Sequence, residues 1–159
     1  MKKFTALLLA FIMPIFALVG CSSEEEPSQV IKGYSDSKAF ADGEDGSRQE
    51  LTKYFYDQSF DSKFAENKEY AKVTKDNKEE ITGYIQNFDD WAKYSTFKND
   101  YDFGADKIKE GDYFVIADKS ISNDNLGVRK VRTAYKMYSL FYYQTESHTL
   151  YHIYMDITT

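Results

Sequence analysis

His148 and His152 are the only two histidines in the 159-residue chain. Four residues apart on a helix, they would turn two imidazoles onto one metal ion. The residues around them do not read as a helix. Thr145-Glu146-Ser147-His148-Thr149 has the length and composition of a hairpin connection, and Leu150 to Ile157 reads as a strand. Four residues of strand span about 13 Å at roughly 3.3 Å each, whereas zinc holds each nitrogen at about 2.0–2.1 Å. The pair chelates only if the turn folds His148 back, so neither a metal site nor another cofactor is expected. His152 and Asp156 share a strand face at a similar distance, too far apart for the carboxylate to orient the imidazole. No serine stands in a G-x-S-x-G elbow. Asp102-Phe103-Gly104 spells a kinase motif, but the chain has neither the glycine-rich loop nor the H-R-D loop that the motif needs. Asp42-Gly43-Glu44-Asp45-Gly46 looks like a calcium loop, yet Ser47 falls where the EF-hand requires glycine and Lys53 where it requires glutamate. No catalytic residue is assigned.

Tyrosine is more conspicuous than any of these. Tyr135, Tyr138, Tyr142, Tyr143, Tyr151 and Tyr154 crowd the last two strands. Consecutive Tyr142 and Tyr143 must point to opposite faces. Tyrosine offers an apolar body and a polar tip, which suits contact with a protein or a sugar. Tyr138, Tyr142, Tyr154 and His152 are therefore the candidate contact residues. The competing expectation is that a helix covers one face and the other tyrosines are simply tolerated.

The elements that must position these residues follow from periodicity. Ser47-Arg48-Gln49-Glu50 has the capping-box form, with Leu51, Tyr54 and Phe55 at helical spacing, which predicts a helix from 48 to the mid-50s. A weaker helical stretch covers 61–74. The strongest signal starts at Asp76-Asn77-Lys78-Glu79. Ile81, Tyr84, Ile85, Phe88, Trp91 and Ala92 then form one apolar stripe, predicting a helix over 77–93 with Trp91 in the core. Strands are expected over 112–117, 135–144 and 150–157. Tyr151, Ile153, Met155 and Ile157 should share one face of the last strand, and Leu150, His152, Tyr154 and Asp156 the other. Helices first and strands after predict an α+β fold: N-terminal helices, then a small antiparallel sheet ending in a β-hairpin, with the 77–93 helix packed on it.

The N-terminus carries a different kind of signal. Met1-Lys2-Lys3 precedes an apolar run from Phe4 to Val19, which is the pattern of an export signal. The run is short for a spanning helix, which needs about 20 apolar residues, and Pro14 interrupts it. Leu18-Val19-Gly20-Cys21 closes the run with the chain's single cysteine. This segment resembles the lipobox of bacterial lipoproteins. The resemblance, confined to residues 1–21, implies that the signal is cut before Cys21 and that the Cys21 thiol carries a diacylglyceryl group. Two acyl chains suffice for a stable membrane anchor. Ser22 to Gln29 has nothing apolar to bury. Residues 21–46 are accordingly expected to be a flexible tether, and 47–159 a single domain.

The net charge is −6, and loss of Lys2 and Lys3 with the signal would take it to −8. That sign disfavours nucleic acid as a partner. The one basic cluster, Arg129-Lys130-Val131-Arg132 with Lys136, reads as solvated. The sequence thus suggests a lipid-anchored protein on the extracytoplasmic face of the cell membrane. Its domain would bind a protein or glycan partner without catalysis. An envelope enzyme using carboxylates, and a protective, immunity-type lipoprotein, are the alternatives.

Overall fold

The computed structural model describes residues 26–43, 46–118 and 136–157. They form a mixed α+β fold dominated by one antiparallel sheet. In chain order the elements are β1 (Asp36–Asp42), β2 (Arg48–Phe55), α1 (Asp61–Glu66), β3 (Ala71–Lys72), α2 (Lys75–Ala92), β4 (Tyr113–Asp118), β5 (Met137–Gln144) and β6 (Thr149–Asp156). The strands lie in the order β1-β2-β6-β5-β4-β3. The expected strands, the terminal hairpin and the long helix are all present. The face assignment of β6 also holds, since Leu51, Leu140, Ile153 and Met155 fall in one core and Leu150 in another.

The helix expected over 48 to the mid-50s is absent, because those residues are β2. Leu51 and Lys53 point to one face of the sheet and Tyr54 to the other, and all three are buried. A helix would have buried only one stripe. As a strand, this segment pairs over Gln49–Phe55 with β1 on one side and along its whole length with β6 on the other, and that outweighs a local capping signal. The 61–74 stretch supplies only the six-residue α1 and the two-residue β3. The fold therefore does not begin with helices.

Both faces of the sheet are roofed. On the first, α2 and the 93–108 loop pack Ile81, Ile85, Phe88, Phe97 and Phe103 onto Leu51, Leu140, Tyr142 and Ile153. The start of α2 is fixed by Asn77, whose side-chain oxygen accepts the Thr74 N–H at 2.8 Å. On the second, α1 and the segment before β1 cover Tyr54, Tyr143 and Leu150. Phe64 of α1 stacks on Tyr143 with ring centroids 3.7 Å apart.

That second roof corrects the boundary drawn at Ser47. Val30 is 5% exposed. The Tyr70 hydroxyl donates to the Gln29 carbonyl at 2.9 Å and the Tyr56 hydroxyl to the Ile31 carbonyl at 2.8 Å. Gly33 passes so close to Phe60, at a φ of +112°, that a Cβ would lie 2.7 Å from the ring. Phe40 of β1 packs on the opposite core, 6.1 Å from Phe97. The residues read as a tether thus contribute an edge strand and part of both cores. Glu44 and Asp45 lie outside the described residues, as do Cys21, Tyr135 and the cluster Arg129 to Arg132.

Removing residues 1–46 should therefore cost at least about 3 kcal/mol, the scale of losing large buried side chains. A chain beginning at Glu26 should keep the melting transition of the longer protein. Circular dichroism melts of the two truncations decide this, and a chain from Ser47 that melts within two or three degrees of one from Glu26 would refute it.

Candidate functional site

Two of the candidate contact residues are interior. Tyr138 is 1% exposed and donates its hydroxyl proton to the Tyr84 carbonyl of α2 at 2.8 Å. Tyr142 is fully buried on the same face; its hydroxyl donates to Asp112 Oδ2 at 2.7 Å and accepts the Lys109 N–H at 3.0 Å. Tyr142 and Tyr143 do point to opposite faces, but each face is covered, so neither offers contact surface. The expectation that Tyr138 and Tyr142 present a binding face is corrected on that ground. Asp112 ties these elements together. Itself 1% exposed, it also accepts the Thr145 N–H at 3.0 Å and the Thr145 hydroxyl at 2.7 Å.

His152 and Tyr154 lie on the second face of β6, half-buried beyond the part covered by α1. The His152 ring lies flat on Phe141, centroids 4.2 Å apart, and its Nε2 is 2.9 Å from the Ser139 hydroxyl. Burial lowers the imidazole pKa from 6.5 to about 4, so the ring is neutral at pH 7. Ser139 and His152 form a serine–histidine contact that sequence reading missed, because they sit on different strands and meet only through register. Among the described residues no carboxylate bonds the other ring nitrogen, so the third member that would orient a general base is not supplied. Tyr154 has the Arg48 guanidinium 5.9 Å from its ring centre.

His148 is held elsewhere. It occupies the left-handed backbone region at a φ of +50°, which closes the hairpin. Its Nδ1 is 3.0 Å from Asp61 Oδ1, the same oxygen that takes the Tyr143 hydroxyl at 2.6 Å. The two histidines thus serve different partners.

A shallow depression of about 260 Å³ lies between α2 and the 101–107 loop, lined by Asp89, Tyr101, Gly104 and Asp106 among others. Burial pushes the Asp89 carboxyl upward, with the charges of Asp106 and Asp90 adding to it. A raised carboxyl beside a second acid is the arrangement a hydrolytic enzyme would use. Here, however, both Asp89 oxygens are engaged. Oδ1 accepts the Tyr101 hydroxyl and Oδ2 the Ala105 N–H at 3.0 Å, which holds the loop to the helix. The Asp102-Phe103-Gly104 stretch has the same anchoring character. Asp102 pairs at 2.7 Å with buried Lys53, which also donates to the Asp100 carbonyl at 2.6 Å, and Phe103 stacks on Tyr151.

Exposed aromatic surface appears at the end of the helix whose apolar stripe, Trp91 included, is expected to be core. Ile81, Tyr84, Ile85, Phe88 and Ala92 of α2 are buried, but Trp91 is 42% exposed and Tyr94, just past the helix, is 83% exposed. At about 100° per residue, Trp91 lies about 80° from the centre of the buried stripe, on its rim. The backbone that displays the pair is held firmly. Thr96 N–H donates to Asp42 Oδ2 at 2.6 Å, the Ser95 hydroxyl to the Ala92 carbonyl at 2.8 Å, and Phe97 is buried against Phe88. Lys93 stands 5.3 Å from the Tyr94 ring centre and pairs with Asp90. Two aromatic rings and an ammonium thus face solvent from a fixed turn.

No family model matches the chain, and comparison with curated proteins and with solved structures finds no match.

Trp91 as a surface residue has a spectroscopic consequence. Its emission should already be at long wavelength in the folded protein and shift little on unfolding. Trp91→Ala should cost under about 1 kcal/mol, as for surface changes generally, against about 3–5 kcal/mol for Phe88→Ala. A blue-shifted native emission would return Trp91 to the core.

His152 gives a pH dependence of defined sign. Its folded pKa lies below the unfolded value of 6.5, so the stability tied to the neutral ring is complete above pH 6.5 and is lost as pH falls towards 4. Allowing for its partial exposure, about 2 kcal/mol is at stake. Urea denaturation at pH 7.5 and 4.5 should show wild type losing about that much more than His152→Gln. Equal losses would mean the ring keeps its ordinary pKa.

Proposed function

We propose that this chain is exported and anchored to the extracytoplasmic face of the membrane by lipid on Cys21, and that its domain binds a protein or glycan partner rather than catalysing a reaction. The observation that carries the binding part is the exposed pair Trp91 and Tyr94. Tryptophan and tyrosine are the side chains from which interface hot spots are most often built, because each offers a large apolar body with a polar group at its edge. Their fixed backbone means that little entropy is lost when a partner closes on them.

Their position suits such a role. The described chain enters the fold beside Tyr70, five residues before α2 begins. The aromatic pair stands at the other end of α2, whose 18 residues span about 27 Å at 1.5 Å per residue. A partner would thus meet the pair at the end of the domain remote from the anchor. Among the described residues no helix is long and apolar enough to cross a membrane. The enzyme reading draws on Asp89 beside Asp106, but the hydrogen bonds that occupy both Asp89 oxygens favour an anchoring role for that carboxylate.

The anchor is tested by mass spectrometry of the processed N-terminus, where a diacylglyceryl adduct on Cys21 is expected. An unmodified N-terminus at another residue would end that part. Binding is tested by placing a photo-crosslinking amino acid at position 94 in intact cells and by co-sedimentation with purified cell-wall glycan. Position 94 should give adducts that exposed position 65 on α1 does not, or Trp91→Ala/Tyr94→Ala should weaken sedimentation at least about tenfold. If neither holds, the aromatic pair is not the binding surface.

A further inference from the structure

Among the described residues β1 forms one edge of the sheet, pairing with β2 on one side only. Alternate residues of an antiparallel strand direct their N–H and C=O groups to alternate sides. The Ser37 N–H donates to the Asp36 carboxylate at 2.8 Å, and the Gly43 N–H to the Asp42 carboxylate at 2.8 Å. Both bonds place the odd-numbered peptide groups on the outer side. The aspartates thus cap the two ends of the edge, and Ala39 and Ala41 lie between them, both exposed. An uncapped pair of this kind is a template for another strand.

We infer that β1 pairs with β1 of a second copy of this chain, antiparallel and centred on Phe40, so that one sheet runs through both molecules. Side-chain parity and charge favour that register over those centred on Lys38, on Ala39 and on Ala41, the last of which would set Phe40 against Asp42 twice. The pleat requires even residues to oppose even residues. Centring on Lys38 would set Lys38 against Lys38, and centring on Ala39 would set Asp36 against Asp42 twice. Centring on Phe40 sets Lys38 of each copy against Asp42 of the other, giving two opposite-charge pairs on the face that carries α2. Such cross-strand pairs stabilise a ladder, and like charges in the same place oppose it. The same register opposes Phe40 to Phe40 and lets the peptide groups of Ala39 meet those of Ala41. Alanine at both outward positions leaves the second face free of bulk, so a second backbone can approach.

The contact is tested by disulfide trapping in the membranes of cells making the full chain. Two differently tagged chains, one Ala39→Cys and one Ala41→Cys, should give an oxidised heterodimer when co-expressed, because residue 39 faces residue 41 of the other copy. Either variant alone should give little, since neither position faces itself. The wild-type chain, which contains only Cys21, reports any cross-link through that thiol. Lys38 is exposed, so Lys38→Glu leaves the core untouched while setting like charges opposite Asp42. It should lower the heterodimer band at least about fivefold, and Lys38→Arg should preserve it. Absence of a heterodimer above the wild-type level, trapping by Ala39→Cys alone to the same extent, or a band indifferent to Lys38→Glu would each overturn the proposal.

Discussion

The ladder between β2 and β6 joins residues 48–55 to residues 149–156, and the other elements take their places from it. β1 lies in the sheet because β2 offers it an edge. Tyr54 and Leu150, neighbours across the ladder, form the floor on which α1 and the preceding segment settle. Leu51 and Ile153, neighbours on the other face, form the floor for α2. A pairing this remote in sequence must meet its chain-closure entropy before its contacts are rewarded. Large aromatic rings on both floors supply the burial that offsets it.

This dependence explains which elements were legible from sequence. α2 announces itself because its burial is one-sided and repeats with the helical period. β6 alternates cleanly because one face is fully buried and the other only partly so beyond Leu150. β2 carries no such mark. Its fully buried face holds Gln49 and Lys53 beside Leu51, so its apolar residues show no alternation, and Leu51, Tyr54 and Phe55 happen to fit a helix after a capping box. The residues before β1 were harder still. Val30, Ile31 and Tyr34, and Phe40 of β1 itself, each dock at a separate place on two cores, so no period links them and their polar neighbours make the segment read as disordered.

The candidate site was legible only in part. Aromatic excess near the C-terminus is plain in the sequence, but alternation says which face a tyrosine occupies and not whether that face is covered. Tyr138 is buried because α2 lies over it, Tyr142 because Phe103 and the segment leading to Asp112 do, and Tyr143 because α1 does. Trp91 could have been separated from the core by its angle alone, since it lies on the rim of the stripe and not at its centre. Asp112 and Ser139 left no trace, because their partners are assembled by register and by loop closure.

The burial of Val30 and the hydrogen bond from Tyr70 to Gln29 bear on how far the domain can travel. With lipid on Cys21, only the few residues up to Gln29 separate the anchor from the fold, in place of the long tether that the composition suggests. Eight residues reach at most about 29 Å even when fully stretched at about 3.6 Å each, and the turn in which the Val30 N–H donates to the Pro27 carbonyl at 2.9 Å shortens that reach. The domain would then stay close to the bilayer surface. Its encounters would be with molecules in or resting on the same bilayer, at the high local concentration that tethering confers, and a partner held farther out would have to extend inward to meet it.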